Sequence, residues 1–186
     1  MIKKLFAPIL FLGLILVSCG ESSTENEISK NKLKLRIKQI EDSIAAIQSD
    51  PVAAAKIPNL TQLELINRLT DYYRAFPKDN YSADCLFKIH MKFGELNAHE
   101  KSVAYGDTLL NLFPNYKNKD FLLESMGSAC DIYIEPRDTS KVRFYYEQLL
   151  KEKNVPESKK KDIRARLNRI DLTFDEYILK INSQLQ

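Results

Sequence analysis

The chain has 186 residues, with 28 Lys and Arg against 25 Asp and Glu for a formal charge of +3, and 44% of its residues are hydrophobic. A balance this close to neutral is a poor footprint for nucleic acid, and the length suits one compact domain or a short repeat array. Two histidines and three cysteines form none of the short paired spacings of zinc sites and are too few for a disulfide-stapled scaffold.

The opening "MIKKLFAPILFLGLILVSC" carries two lysines and then an apolar run from Leu5 to Val17, interrupted only by Pro8 and Gly13. That is the plan of a secretory signal, and the apolar run is too short to span a bilayer comfortably as a mature helix. Leu16-Val17-Ser18-Cys19 resembles the bacterial lipobox, with apolar, small and cysteine positions at the end of the apolar run. The resemblance implies a signal peptide over residues 1–18, cleavage before Cys19 and a diacylglycerol thioether on its sulfur. Each buried acyl methylene contributes about 0.8 kcal/mol, so several chains on one cysteine hold firmly. Gly20 stands where Asp would retain such a protein at the inner membrane, so the resemblance implies an outer-membrane lipoprotein, with the periplasmic or surface face left open. The other reading is an ordinary signal with an incidental cysteine.

Residues 19–30 are polar and read as a lipidated flexible tether. From Leu33, the positions Leu33, Ile37, Ile40, Ile44 and Ile47 step by four and three, which predicts a leading amphipathic helix over 31–48. The same stepping fits the seam of a coiled coil, but for barely two heptads, so the stripe is expected to pack on its own domain. Residues 49–59, with Pro51 and Pro58, read as a linker.

Helical spacing continues from Leu60, and no strand-like alternation of any length occurs. "YYRAFP" ends at Pro77 and "LLNLFP" at Pro114, 37 residues apart, a spacing that points to a helical array. Residues 86–114 resemble the tetratricopeptide repeat, a helix–turn–helix unit of about 34 residues. Leu86, Ile89, Phe93, Asn97, Ser102 and Pro114 match its tryptophan, leucine, tyrosine, turn-glycine, small-residue and closing-proline positions. Met126, Ala129, Tyr133, Val142, Tyr146 and Leu149 fill the same slots of a second copy forty residues on. His90 departs from the usual glycine or alanine, Gly106 from a common aromatic, and Asn154 holds the proline slot with Pro156 two residues late. Leu65, Leu69 and Tyr72 match an incomplete earlier repeat.

The predicted fold is all-α: stacked antiparallel helix pairs over 60–155, then capping helices over 156–186. A lone pair cannot bury its apolar face and has to stack. The arrangement as a whole resembles tetratricopeptide lipoproteins of Bacteroidota-type bacteria. It is more distantly similar to the lipoprotein subunit of the β-barrel assembly machine. That likeness implies a concave groove lined by the leading helices. Carried over position by position, it assigns Asp84, Phe87, Met91 and Glu95 from the first copy, and Glu124, Asp131, Ile134 and Glu135 from the second. Five of these eight are acidic, which would favour a basic or amphipathic segment of a cell-envelope protein.

The basic stretch 151–169 reads as a solvated helix face, with anionic headgroups or an acidic protein as its other reading. His90 is expected to be structural, His99 to lie in a loop, and Cys85 and Cys130 to be small buried thiols, a disulfide between them being the alternative. No G-x-S-x-G, phosphate-cradling glycine loop or H-E-x-x-H occurs, so the chain reads as a binding protein, not an enzyme, with no metal or cofactor. Two functional readings follow: an adaptor that binds through the groove, or a structural subunit of an envelope complex that associates through the Leu33–Ile47 stripe.

Overall fold

Helices form wherever apolar side chains step by three and four. A computed structural model describes residues 21–49 and 59–183, so Cys19 and almost all of the linker lie outside the described residues. Among those residues the regular elements are helical and no strand occurs. The order is α1 (Glu21–Gln48), α2 (Asn59–Ala75), α3 (Asn80–Glu95), α4 (His99–Leu112) and α5 (Lys119–Ser128), which runs into a π-helical turn (Ala129–Tyr133). Then follow α6 (Thr139–Lys151), α7 (Glu157–Leu167) and α8 (Phe174–Ser183).

The expected tether is helical from Glu21, a correction to the boundary at residue 31. Neither glycine nor proline interrupts residues 21–30, so nothing in that stretch breaks a helix. The stripe behind it packs inward: Ile37 and Ile44 are buried against Leu65, Leu69, Tyr72 and Ile89, with Leu33 and Ile40 at the margin. Polar contacts fix its position. Lys30 Nζ lies 2.9 Å from Asp79 Oδ2, Arg68 Nη1 donates to the Arg36 carbonyl at 2.6 Å, and Lys88 pairs with Glu41.

From α1 to α7 each helix packs on the next. The helices α3, α5 and α7 start at residues 80, 119 and 157, so 39 and then 38 residues apart. Between them lie α2, α4 and α6, starting at 59, 99 and 139, 40 residues apart each time. Side chains join the first set laterally at one recurring offset. His90 to Ser125, Glu124 to Lys159 and Asp131 to Arg166 each span 35 residues. Neighbouring helices of this set therefore touch displaced by about one turn, four and then three residues short of the spacing of their starts.

Two apolar clusters fill the interior. One joins α1, α2 and the Cys85, Ile89 and Phe93 side of α3. The other joins the Ala83 and Leu86 side of α3 to α4 through α7, and Tyr73 and Tyr105 touch both. Leu86, Ile89, Met126, Val142 and Leu149 are fully or almost fully buried, and each such side chain contributes roughly 1.5–3 kcal/mol.

The short connections carry their own chemistry. Asn97 has φ of 58°, the left-handed conformation of a turn glycine, which asparagine tolerates better than most residues. Asp79 caps α3 by accepting from the Tyr81 N–H, and Asp138 caps α6 through the N–H groups of Ser140 and Lys141. Gly106 and Gly127 permit close approach. A Cβ on Gly127 would sit 2.6 Å from the Tyr146 ring, and one on Gly106 would sit 2.5 Å from Met126 Sδ. At Gly106, Met126 of the next helix occupies the space that a side chain would need.

Candidate functional site

On α3 the spacing of Asp84, Phe87, Met91 and Glu95 by three, four and four residues puts all four on one face. Next to it, α5 presents Phe121, Glu124, Ser125 and Ser128 at helical spacing. Phe87 joins the two helices: its ring centroid lies 5.9 Å from Phe121 and 5.5 Å from Tyr116. Phe121 remains 48% exposed. Sequence reasoning missed Phe121 and Tyr116, because neither occupies a repeat-motif slot.

Beneath this face, His90 links three helices. Its Nδ1–H donates to the Ser102 carbonyl at 2.9 Å, since a carbonyl can only accept, and this fixes the tautomer. Nε2 then accepts from the Ser125 hydroxyl at 3.0 Å, while Ser102 Oγ donates to the His90 carbonyl at 2.8 Å. His90 is accommodated in the interior because its ring nitrogens are satisfied by α4 and α5. Burial lowers the His90 pKa below its ordinary 6.5, against a smaller opposing effect of the Ser102 carbonyl.

The unfolded chain therefore binds a proton that the folded chain refuses. Stability from this group is complete above about pH 6.5 and falls as the pH drops from there toward the lowered folded value. The slope is at most roughly 1.4 kcal/mol per pH unit. Thermal melts of wild type and His90→Gln between pH 7.5 and 5 should diverge, the variant losing less stability on acidification; parallel curves would contradict this role.

A cleft of about 370 Å³ opens where α3 ends, lined by Met91, Glu95, His99, Ser128 and Tyr133 among others. His99 is the first residue of α4 and not a loop residue, and it stacks on Tyr133 at 4.5 Å with 14° between the rings. Tyr133 was expected in a packing slot but is 60% exposed. The π turn carries one more residue per hydrogen-bonded turn than an α-helix, and this rotates the residues after Ala129 away from the motif's register.

The other predicted groove residues separate. Asp84 lies at the opposite end of α3, 3.3 Å from Lys117 Nζ, beside a cleft of about 470 Å³ lined by Asn80, Leu112, Phe113 and Tyr116. Glu124 faces α7 and pairs with Lys159 at 2.7 Å. Ile134 packs on the second core cluster at the edge of a further cleft, and Glu135 is exposed on the loop before α6.

Asp131 corrects the sequence reading outright. Its carboxylate is fully buried, accepting from Arg137 Nη2 at 2.6 Å and from Arg166 Nε and Nη2 at 2.7 Å each. No partner could reach it. Arg166, expected on a solvated face, is equally enclosed: it donates to the carbonyls of Arg169 and Leu172 and lies 5.0 Å over the Tyr177 ring. Two arginines supply the charge that lets one carboxylate be buried.

The acidity expected of the groove is therefore largely spent within the protein, Glu95 itself meeting Lys92 at 2.8 Å. What the face offers is aromatic surface with scattered charge. Cys85 and Cys130 are free, buried and in separate core clusters, and burial pushes their thiols up to about 12 and about 11. Among the described residues, no group of three His, Cys, Asp or Glu is placed to hold a metal ion, and no helix is long and apolar enough to cross a membrane. No protein-family model, curated protein or solved structure matches this chain.

Proposed function

We propose that the protein is a lipid-anchored adaptor of the bacterial cell envelope. It is held to the outer membrane through Cys19, is built of tetratricopeptide-like helix pairs, and binds a segment of another envelope protein along the face shared by α3 and α5. The observation that carries this reading is the half-exposed Phe121 ring resting on Phe87, which itself rests on Tyr116. Aromatic area left in water beside partly covered rings is surface that a second chain covers with gain, and interface cores are enriched in such residues. The regular starts of α3, α5 and α7, 39 and 38 residues apart, support the repeat reading.

The alternative, a structural subunit associating through the Leu33–Ile47 stripe, has no observation in its favour. Ile37 and Ile44, the centre of that stripe, are buried against α2 and α3.

Phe121→Glu tests the adaptor reading. A ring at the centre of an interface is a hot spot, so capture of the envelope partner should weaken roughly thirtyfold or more. Stability should change by about 1 kcal/mol, too little to unfold the protein, because the ring is half in solvent. Undiminished capture would overturn the proposal.

A further inference from the structure

The cleft at the end of α3 has features that the repeat slots do not explain. The π turn swings Tyr133 out of the core and lays its ring flat on His99, leaving 60% of the tyrosine exposed. Single-turn π segments inside α-helices are found often at functional positions. Next to the two rings stand Met91 and the Glu95 carboxylate, the one carboxylate among the residues lining the cleft, and no lysine or arginine lines it.

The backbone adds to that sign. Helix α3 ends at Glu95 and the π turn at Tyr133, so two helical segments bring their carbonyl ends to the cleft. One N-terminus opposes them, that of α4 at His99, and Glu100 lies in its first turn. Lys92 meets Glu95 across a pair three residues apart in which the carboxylate is half in solvent, a contact that a better-placed cation can share or displace.

We propose that this cleft, formed by Met91, Glu95, His99 and Tyr133, receives a lysine or arginine side chain of the bound protein segment. The cation lies against the tyrosine ring and pairs with Glu95, while its methylene stem covers Met91. A volume of about 370 Å³ accommodates one long side chain. With the tyrosine mostly exposed the cleft is open to solvent, which suits one residue of a longer segment held by contacts on either side. The inference rests on the adaptor reading and adds to it a chemical class at one place on the face: a basic residue at the end away from Phe121.

The sequence supplies its own reporter. Beyond Met1 the methionines are Met91, in the cleft, and Met126, fully buried and packed near Gly106. The full-length chain, labelled at its methionine methyl groups, is titrated by NMR with a blocked Ala-Arg-Ala tripeptide and, separately, with Ala-Glu-Ala. The Met91 methyl should shift with the arginine peptide and not with the glutamate peptide, while Met126 stays still. Tyr133→Phe should keep the response, whereas Tyr133→Leu and Glu95→Gln should each weaken it roughly tenfold. Both positions are exposed, so the fold survives the changes.

A stationary Met91 signal, an equal response to the glutamate peptide, or a parallel shift of Met126 would overturn the proposal. The two readings fail separately. If the titration fails while Phe121→Glu still abolishes capture, only the basic-residue subsite falls. If the titration succeeds while Phe121→Glu leaves capture intact, the cleft stands and the aromatic face does not.

Discussion

Asp131→Asn is expected to destabilise the protein by about 3–5 kcal/mol, the cost of removing one member of a buried ion cluster. The substitution keeps the shape and removes the charge. Arg166, with its side chain 6% exposed, would then face Arg137 without the carboxylate between them, both guanidinium groups shielded from water. The carbonyls of Arg169, Leu172 and Ile170 that the two arginines also reach cannot replace a full negative charge. For a chain of this size the melting temperature should fall by on the order of 10 °C. Removing the second partner as well, in Asp131→Asn with Arg166→Met, should recover part of the loss, because the uncompensated cation goes with it. Thermal melts of the two single variants and the double variant check this; a double variant as damaged as the sum of the singles would show that the cluster does not act as a unit.

Ile37→Asp should have an effect as large but confined to one end. Ile37 is fully buried, and losing an isoleucine there costs about 2–5 kcal/mol before the carboxylate's own desolvation is counted. Because the helices contact chiefly their neighbours in order, α1 should detach while α4 to α7 stay folded. Hydrogen exchange should show α1 amides exchanging as in a free peptide and those of α5 and α6 still protected. Uniform loss of protection would mean that the array unfolds as one piece, and unchanged exchange in α1 would contradict the burial of its stripe. The variant thus reports on folding, not on a partner of the stripe.

The elements that were legible in the sequence are those whose periodicity is local. Leu86, Ile89 and Phe93, then Met126, Val142, Tyr146 and Leu149, are buried where helical spacing places them. Asn97 could be read as a turn residue because one asparagine can adopt the positive φ that the slot demands. The start of α1 was misplaced because composition alone cannot distinguish a polar tether from a polar helix whose Lys30 finds Asp79, 49 residues on.

The candidate site was less legible, for reasons of distance and register. Asp131 looks solvent-facing until Arg166 arrives from 35 residues away, and nothing local to either residue announces the pair. Tyr133 followed its motif slot until the π turn displaced it. Phe121 carried one available signal, a large apolar residue in the first turn of a helix otherwise explained, whose spacing puts it outside the buried set of Leu122, Leu123 and Met126. Asp84, Phe87, Met91 and Glu95 share one face because a single helix determines it, but Asp84 sits at the far end of that helix beside Lys117, in a different cleft from Met91 and Glu95.

The most direct test of the adaptor reading is site-specific crosslinking in intact cells, with a photo-reactive phenylalanine analogue replacing either Phe121 or Phe144. Both side chains are about half exposed, Phe121 on α5 beside Phe87 and Phe144 on α6 away from that contact. A discrete protein adduct at position 121 and none at 144 is the predicted result. An adduct at 144 alone, or none at either position while the chain is membrane-bound and folded, would contradict it.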